Sequence, residues 1–338
     1  MKLRIATRKS ALALAQTTMA ADAIVAANFV ANSAERGKCA AVGDDSLTYE
    51  LVSMTTEGDR RLDKSLASFG GKGVFIKELE IALLENRADI AIHSLKDMPA
   101  EVLPQFKLAA VLKREDPRDA FLSRGGAAGV RFMDLPAGAR VGTGSIRRIV
   151  QLKALRLDIE YVPIRGNIQT RIGKLAELDG VVLAAAGLNR MGLADQVTEY
   201  FSTEQVLPAS GQGILAIETL ADADSRHLEQ REGFSEISGN LAQILARVND
   251  VETFCVASAE MSYLKALNAG CQFPVASFAE FVCDTAEKLK IRGIYWDEKS
   301  EKLLRAEVAG TVDLSSADSV KQSKELGVAL AQEIKNQL

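Results

Sequence analysis

Histidine and closely spaced cysteines are scarce in this chain of 338 residues, and their scarcity argues against a zinc site. There are two histidines and four cysteines, and no two cysteines have a CxxC spacing. Because structural zinc sites draw closely spaced ligands from these two residue types, we predict no zinc site. Read as structure, Cys39, Cys255 and Cys283 are expected to be small buried hydrophobic residues.

The chain also lacks a surplus of basic charge and a long uninterrupted apolar run. Its net charge is −4, so no general positive field favours nucleic acid, and any anion binding must be local. Residues 1–26 combine basic residues with an Ala/Leu run, as a signal peptide does. However, Leu3–Ala6 alternates like a strand, and Gln16, Thr17 and Asp22 interrupt the run. We therefore predict a strand and an amphipathic helix here, no membrane-spanning segment and a cytoplasmic location.

Strands alternate with helices in two successive stretches, and no internal sequence repeat is visible. This rhythm predicts an α/β fold with largely parallel or mixed sheets covered by helices. The first stretch extends to about residue 112, with strands predicted near 3–6, 48–56, 89–93 and 106–112 and helices over 10–28 and 76–86. Residues 113–139, rich in Gly, Pro and charge, are interpreted as a break. The second stretch is predicted to hold strands at 140–141, 159–163 and 181–185 and helices over 145–155 and 167–177.

The remaining residues predict a return to the first unit and then a small separate domain. Residues 207–218, "LPASGQGILAIE", are interpreted as the hinge through which the chain returns. About a hundred final residues contain two helical stretches, two strand-like runs and a C-terminal helix, which predicts an α+β domain with an antiparallel sheet. The predicted domains are 1–112 with 214–234, then 118–209, then 238–338.

Basic residues collect where predicted strands give way to helices. Arg147 and Arg148 lie in the first turn of a predicted helix, where they oppose the helix dipole at a cost of about 0.3–1 kcal/mol. Such a pair indicates a neutralising anion, although a solvated basic helix start remains an alternative. Arg165, Arg171 and Arg190 follow neighbouring strands in the same way. Together these arginines predict a cleft for a polycarboxylate or a phosphate.

The stretch "DIAIHSLKDMPAE" is a short apolar strand that ends in titratable groups. Asp97 beside a cationic cleft would stabilise a developing cation or transfer a proton, and the alternative is a turn-capping aspartate. Lys96 is interpreted as an anion ligand, and His93 as a partly buried, hydrogen-bonded histidine. Cys271, in the glycine-containing loop "NAGCQFP", is better placed for covalent chemistry than a cysteine inside a helix.

Taken together, these segments resemble the porphobilinogen deaminase (hydroxymethylbilane synthase) family over nearly the whole chain. The matching blocks are, in order, "RIATRKSALALAQ", "GGKGVFIKELEIALLENRADIAIHSLKDMP", "REDPRDAF", "VGTGSIRRIVQL", "IRGNIQTRIGKL", "LAAAGLNRMG", "SGQGILAIE" and "NAGCQFPV". The resemblance implies two lobes similar to those of periplasmic binding proteins, with mixed sheets, and a small α+β C-terminal domain.

The resemblance also implies a reaction and its residues. The family is a transferase of tetrapyrrole and heme biosynthesis that deaminates four porphobilinogen molecules, joins them on a dipyrromethane cofactor, and releases 1-hydroxymethylbilane with water. By resemblance, Cys271 carries this cofactor through a thioether, Asp97 is catalytic, and Lys72 lies in a mobile lid. The implied acid-binding residues are Arg8, Ser10, Lys96, Thr143, Ser145, Arg147, Arg148, Arg165, Arg171 and Arg190. A cytoplasmic monomer with a small-molecule substrate and no nucleic-acid or membrane partner is expected.

This chain departs from the family pattern at a few positions, and other functions compete. Gly144 stands where the family commonly has serine, and Ala269 where glycine is usual. A non-catalytic two-lobed anion-binding protein would explain the arginines, but it would need neither a third domain nor a loop cysteine. An effector-sensing regulator would need a DNA-binding helix-turn-helix, whereas the sequence begins with a strand.

Overall fold

The computed structural model of the protein describes residues 2–36, 47–56, 76–221, 234–269, 273–282 and 287–338, with residues 30–36 and 234–240 described as backbone only. Among these residues the strands form three sheets, two of five strands and one of three. The mixed α/β class and the smaller C-terminal sheet agree with the predicted fold.

The first sheet has the strand order β2–β1–β3–β10–β4. Its strands are β1 (Lys2–Arg8), β2 (Thr48–Met54), β3 (Ile90–Ser94), β4 (Phe106–Val111) and β10 (Leu215–Leu220). Strands β1, β2 and β3 are parallel, whereas β10 is antiparallel to both of its neighbours. The chain thus returns through the predicted hinge and inserts β10 beside β3.

The second sheet repeats this arrangement, with the order β7–β6–β8–β5–β9. Its strands are β5 (Asp119–Ser123), β6 (Arg140–Gly142), β7 (Glu160–Val162), β8 (Gly180–Ala184) and β9 (Glu199–Tyr200). Strands β6, β7 and β8 are parallel and β5 is antiparallel to β8. The interpretation of 113–139 as a break was therefore wrong at β5, whose five residues are all buried. Its short apolar run is hidden between Gly- and Pro-rich neighbours.

The third sheet is an antiparallel meander, β11 (Val275–Phe281), β12 (Lys288–Asp297) and β13 (Lys302–Thr311). Strand β11 directly follows the cysteine loop and was not among the predicted runs. Cys255 is fully buried in the core of this unit, as expected, whereas Cys39 and Cys283 lie outside the described residues.

Eight helices are described between and around these strands. They are α1 (Ala11–Arg36), α2 (Lys77–Leu84), α3 (Ile146–Leu155), α4 (Ile168–Gly173), α5 (Ala185–Arg190), α6 (Phe234–Val248), α7 (Val251–Ala266) and α8 (Ser319–Lys335). The helix predicted over 167–177 is divided into α4 and a 3-10 turn, Lys174–Ala176.

Helix α1 corrects two expectations. It continues to Arg36, beyond the predicted end at Asn28, because residues 29–36 contain neither glycine nor proline. By length and composition its segment Ala11–Phe29, with a mean hydropathy of 1.2, could also cross a membrane, contrary to our expectation for the sequence. Core helices and signal sequences share this length and composition. Here Ala20, Ala21 and Ile24 pack in the core of the first sheet.

Candidate functional site

The turn after β3 presents Asp97 at the carboxyl end of the first sheet. Strand β3 ends at Ser94 and a 3-10 turn, Leu95–Asp97, follows it. Leu95 and Met98 are both buried, and the Leu95 amide donates to the Ile214 carbonyl at 3.0 Å, which fixes the turn on β10's side. Asp97 itself is exposed. The apolar residues on either side therefore hold the carboxylate outward, accessible to a ligand.

A small cavity of about 50 Å³ lies beside Asp97 and collects residues from two strand ends. Its polar lining residues are Arg8, Ser10, Gln16, His93, Ser94 and Asp97. Arg8 is the last residue of β1, and the Ser10 Oγ accepts a hydrogen bond from the Ala13 amide at 3.3 Å, which caps α1. Arg8 and Ser10, both predicted from the sequence, are thus brought to Asp97.

Arg147 and Arg148 are buried, and the anion that neutralises them is a side chain of the protein. The Asp119 carboxylate, fully buried at the start of β5, accepts from Arg147 Nη1 at 2.7 Å and from Arg148 Nη2 at 2.8 Å. Burial alone would raise the pKa of Asp119, but the two guanidinium groups outweigh it and hold that pKa well below its usual range. An anion does neutralise this helix start, but it is Asp119 and not the bound polycarboxylate or phosphate that the arginines predicted. Asp119 was missed because it lies in the segment interpreted as a break.

The arginine pair retains donors that are not occupied by Asp119. Arg147 Nη1 also donates to the Leu207 carbonyl and Arg148 Nη1 to the Val182 carbonyl, at 2.8 and 2.9 Å. Arg148 Nε is buried and has no hydrogen-bond partner among the described residues. A buried guanidinium donor of this kind is suited to a carboxylate oxygen of a ligand.

Lys96 and Arg171 bring further positive charge toward Asp97. Burial lowers the pKa of Lys96 to about 8, an effect that Asp97 opposes. Burial also lowers the pKa of Arg171, Arg148 lowers it further, and Asp97 acts in the opposite direction. Groups from both sheets therefore interact electrostatically at one place. Arg171 is held by a hydrogen bond from its Nε to the Gly166 carbonyl at 2.8 Å.

Arg165 and Arg190 differ in their surroundings. Arg165 is exposed in the loop after β7. Arg190, the last residue of α5, is partly buried and donates from Nη2 to the Gly213 carbonyl in the hinge at 2.6 Å. Burial lowers the pKa of Arg190 to about 10, and Glu115 opposes this shift. Arg190 therefore reaches the hinge, whereas Arg165 projects from the second sheet.

Residues 143–145 form a tight turn before α3. Thr143 is fully buried, and its Oγ1 accepts from the Ser145 amide at 3.3 Å. A Cβ added at Gly144 would lie 2.7 Å from the Ile164 carbonyl oxygen, so a serine there would require this turn to shift. Glycine at this position permits close approach of the two loops. Lys72 and Cys271 lie outside the described residues, while Ala269 is buried just before the cysteine loop.

Two polar residues near the site were not assigned a role from the sequence. Gln212 in the hinge accepts from Lys96 Nζ at 3.4 Å and donates to Asp119 Oδ1 at 2.9 Å. Glu218 on β10 lies 3.0 Å from His93 Nε2, and both side chains are buried. The expected hydrogen bond of His93 is therefore confirmed, and the side chain is buried rather than partly buried. The signal for Gln212 was its place between two glycines in "SGQG".

Comparison with protein families gives two matches that together cover most of the chain. The family profile described as "Porphobilinogen deaminase, dipyromethane cofactor binding domain" matches residues 3–229. The profile "Porphobilinogen deaminase, C-terminal domain" matches residues 254–336.

Curated relatives are similar over nearly the full length. A porphobilinogen deaminase of Clostridium kluyveri is 42% identical over 312 residues, covering 92% of this chain and 93% of the relative. One from Syntrophus aciditrophicus is 42% identical over 336 residues, covering 98% and 94% of the two chains.

Among solved structures the similarity is more distant. A periplasmic binding protein of Salmonella typhimurium is 16% identical, with a TM-score of 0.35, covering 74% of this chain and 99% of its own. The BvgS VFT2 domain of Bordetella pertussis is 14% identical, with a TM-score of 0.35, covering 73% and 93% of the two chains.

Proposed function

The chain belongs to the porphobilinogen deaminase family, and from that premise we propose that it is a hydroxymethylbilane synthase whose catalytic carboxylate is Asp97. In each coupling the aminomethyl C–N bond of porphobilinogen breaks and ammonia leaves. The resulting methylene cation then bonds to the free α-carbon of the chain end, which loses its proton. After four couplings, the bond between the cofactor and the methylene of the first-joined pyrrole would break, water would add to that methylene and the cofactor α-carbon would regain a proton, which releases 1-hydroxymethylbilane.

One observation carries this proposal: Asp97 is an accessible carboxylate within a largely cationic site. Loss of ammonia leaves a positive charge delocalised over a pyrrole, and a fixed negative group lowers the energy of that charge as it develops. The same carboxylate is placed to take up the α-proton afterwards. Arg8, beside Asp97 in the cavity, and Lys96 are cations suited to binding the acid side chains of the pyrroles.

The donors present fit a dipyrromethane, which bears two carboxylates on each pyrrole. When bound, this cofactor supplies the pyrrole α-carbon to which the first substrate is joined. Arg148 offers the buried Nε donor described above, and we propose that Arg147, Arg148, Thr143 and Ser145 hold cofactor acid groups. Arg165, Arg171 and Arg190, with Lys72 and Ser10, are proposed to bind substrate acid groups along the growing chain. Cys271 is proposed to carry the cofactor through its thioether.

The three sheets support the division into residues 1–112 with 214–234, 118–209 and 238–338, which we propose as the domains. We further propose that the enzyme is a cytoplasmic monomer without nucleic-acid or membrane partners. A net charge of −4 supports the absence of a nucleic-acid partner.

The test of the proposed function is a mass measurement combined with turnover. Purified protein should have an intact mass above that of its sequence by one dipyrromethane, and it should convert porphobilinogen to a linear tetrapyrrole with release of ammonia. Cys271→Ser should lack both the added mass and turnover. Cys255→Ala is the matched control, since that thiol is buried in the core, and it should retain the adduct.

The alternative of a non-catalytic two-lobed anion-binding protein is not favoured by the family matches, and the same measurement separates it. Such a protein would bind porphobilinogen without releasing ammonia and would have the mass of its sequence alone. A Cys271→Ser protein that still carried the added mass would contradict the attachment site without contradicting the activity.

A further inference from the structure

Gln212 lies where the backbone of the hinge approaches the backbones of Lys96 and Glu115 closely. Its neighbours Gly211 and Gly213 have φ values of +74° and +90°. A Cβ at Gly211 would lie 3.0 Å from the Lys96 amide nitrogen, and one at Gly213 would lie 2.3 Å from the Glu115 carbonyl oxygen. Only glycine suits both the backbone angles and this spacing. The two glycines therefore allow the side chain between them to enter the narrow space between Lys96 and β5.

The surroundings of Gln212 determine the orientation of its amide. Its nitrogen faces three acceptors, the carbonyls of Pro117 and Arg118 at 2.7 and 3.3 Å and Asp119 Oδ1 at 2.9 Å. An amide oxygen in that place would meet only other oxygens, so this atom must be the NH2 group. The remaining atom, Oε1, then faces the Lys96 ammonium at 3.4 Å. The side chain is 1% exposed and cannot turn over without losing these contacts.

We propose that Gln212 is a positioning residue that ties the Lys96 ammonium to the Asp119 carboxylate, and through it to Arg147 and Arg148. Lys96 follows the end of β3 in the first sheet, whereas Asp119 begins β5 in the second. Among the described side chains, Gln212 hydrogen-bonds to both groups. A single amide in the hinge thus connects the cation of one lobe to the carboxylate that pairs with the arginines of the other.

This inference rests on the proposed function, in which Lys96 and the arginine pair hold acid groups of the same bound chain. Two cations that bind one chain of acid groups must keep a constant separation. Without the Gln212 oxygen, Lys96 loses an acceptor and takes other positions, and substrate binding weakens. A charge-assisted hydrogen bond lost at this place corresponds to a rise of about tenfold or more in KM for porphobilinogen.

The first experiment does not depend on catalysis. Full-length holoprotein is treated briefly with a limiting amount of an amine-acylating reagent, and the modification of Lys96 is compared with that of exposed Lys153 by peptide mass spectrometry. In Gln212→Met, the Lys96 ammonium loses an acceptor that stabilises its charged form, so we expect its acylation to increase several-fold. Gln151→Met is the matched control. Gln151 is an equally buried amide bonded to the Leu207 backbone, and its replacement should leave Lys96 acylation unchanged.

The second experiment is a double-mutant cycle on KM. Gln212→Met should raise KM about tenfold in the native background and have little further effect when Lys96→Met is already present, because the two residues act as one unit. A merely structural role, in which Gln212 only satisfies hinge carbonyls, lowers the unfolding midpoint and the amount of active protein but leaves KM and Lys96 acylation unchanged. That outcome would overturn the proposal. If Lys96→Met is too inactive for kinetics, the acylation result in Gln212→Met decides alone.

The conservative variant Gln212→Glu separates the two halves of the bridge. It keeps an oxygen toward Lys96 but replaces the donor that faces Asp119 by a second oxygen. We expect Lys96 acylation to stay at or below that of the unmodified protein while stability falls. Increased acylation in this variant would contradict the assigned contact. An unmodified protein that makes no tetrapyrrole would refute the proposed function instead, whatever the acylation result.

Discussion

The two five-stranded sheets have the same strand order but place different charged groups after one pair of corresponding strands, β3 and β8. Each contains three parallel strands followed by an antiparallel strand that the chain reaches by crossing between lobes. The segment after β3 contains Asp97, whereas the corresponding segment after β8 contains Arg190. A shared topology therefore supplies equivalent positions, and the residues placed there determine what each lobe contributes to the site.

The comparison extends to the one aspartate that each sheet places near the cleft. Asp97 is exposed beside cations, and Asp119 is buried against two of them. The first is accessible to a substrate, and the second is covered by protein donors from Arg147, Arg148 and Gln212. Although the two carboxylates have the same chemistry, we expect Asp97 to control the reaction rate and Asp119 to control the integrity of the binding site.

The third unit packs against the first lobe and is also attached to the hinge between the lobes. The fully buried Glu260 of α7 accepts from Arg114 Nη1 at 2.7 Å and from the Gly211 and Ala279 amides at 2.6 and 2.8 Å. Arg114 in turn donates to the Gln212 carbonyl at 2.9 Å. Helix α7 is thus anchored to the hinge.

The largest expected effect is a loss of folding stability when Asp119, but not Asp97, is replaced. Asp119→Asn removes the only carboxylate among the described residues that pairs with Arg147 and Arg148, leaving two buried guanidinium groups uncompensated. We expect a loss of about 3–5 kcal/mol in the free energy of unfolding, measured by urea denaturation. Asp158→Asn, which breaks a surface pair with Arg156, is the control and should cost much less.

The pH dependence of stability provides a second check on Asp119. Its pKa in the folded state lies below the ordinary value of 3.8, so its contribution to stability is complete above that value and is lost as the pH falls through the folded pKa. Asp119→Asn should therefore lack this part of the stability loss in acid. Equal urea midpoints for Asp119→Asn and Asp158→Asn would show that the arginine pair does not depend on Asp119.

Asp119 also shows where reasoning from the sequence succeeded and where it failed. The helix-dipole argument at Arg147 indicated that an anion was present, because that argument is local. It could not identify Asp119, which lies 28 residues away in sequence and is brought there by the pairing of β5 with β8. Short buried strands such as β5 have little periodicity, and their neighbours determined the interpretation.

The next effect concerns rate alone. Asp97→Asn keeps the shape of the side chain but removes the charge opposite the developing pyrrole cation. We expect kcat to fall on the order of a hundredfold or more, with a small change in KM and in the unfolding midpoint, because Asp97 is exposed. Near-normal turnover would mean that Asp97 is only part of a turn. A large stability loss would mean that the contrast with Asp119 is wrong.

Asp97 was predictable from the sequence because a strand end and a following proline are local signals. The boundary between β1 and α1 likewise places Arg8 and Ser10 correctly. The Gln212 contacts were not predictable in this way, since they depend on three chain segments that meet only after both lobes and the hinge have formed. Glycine spacing in "SGQG" indicated a tight turn but not what the glutamine would touch.

The smallest predicted effect tests whether the cation beside Asp97 differs from the arginines of the second lobe. Burial lowers the pKa of Lys96 to about 8, so its ammonium is lost just above neutral pH, whereas arginines remain charged. KM for porphobilinogen should therefore rise, by at most about tenfold, between about pH 7 and about pH 9, since one unit above its pKa about a tenth of the lysine is still charged. The effect of Lys96 on folding stability has the opposite sign. Its lowered pKa disfavours the folded state below about pH 8, and this penalty is relieved as the pH rises toward the ordinary lysine value of 10.5. Lys96→Arg should flatten the KM profile over this range. A flat profile in the unmodified protein would show that Lys96 does not bind a substrate acid group as its charged form.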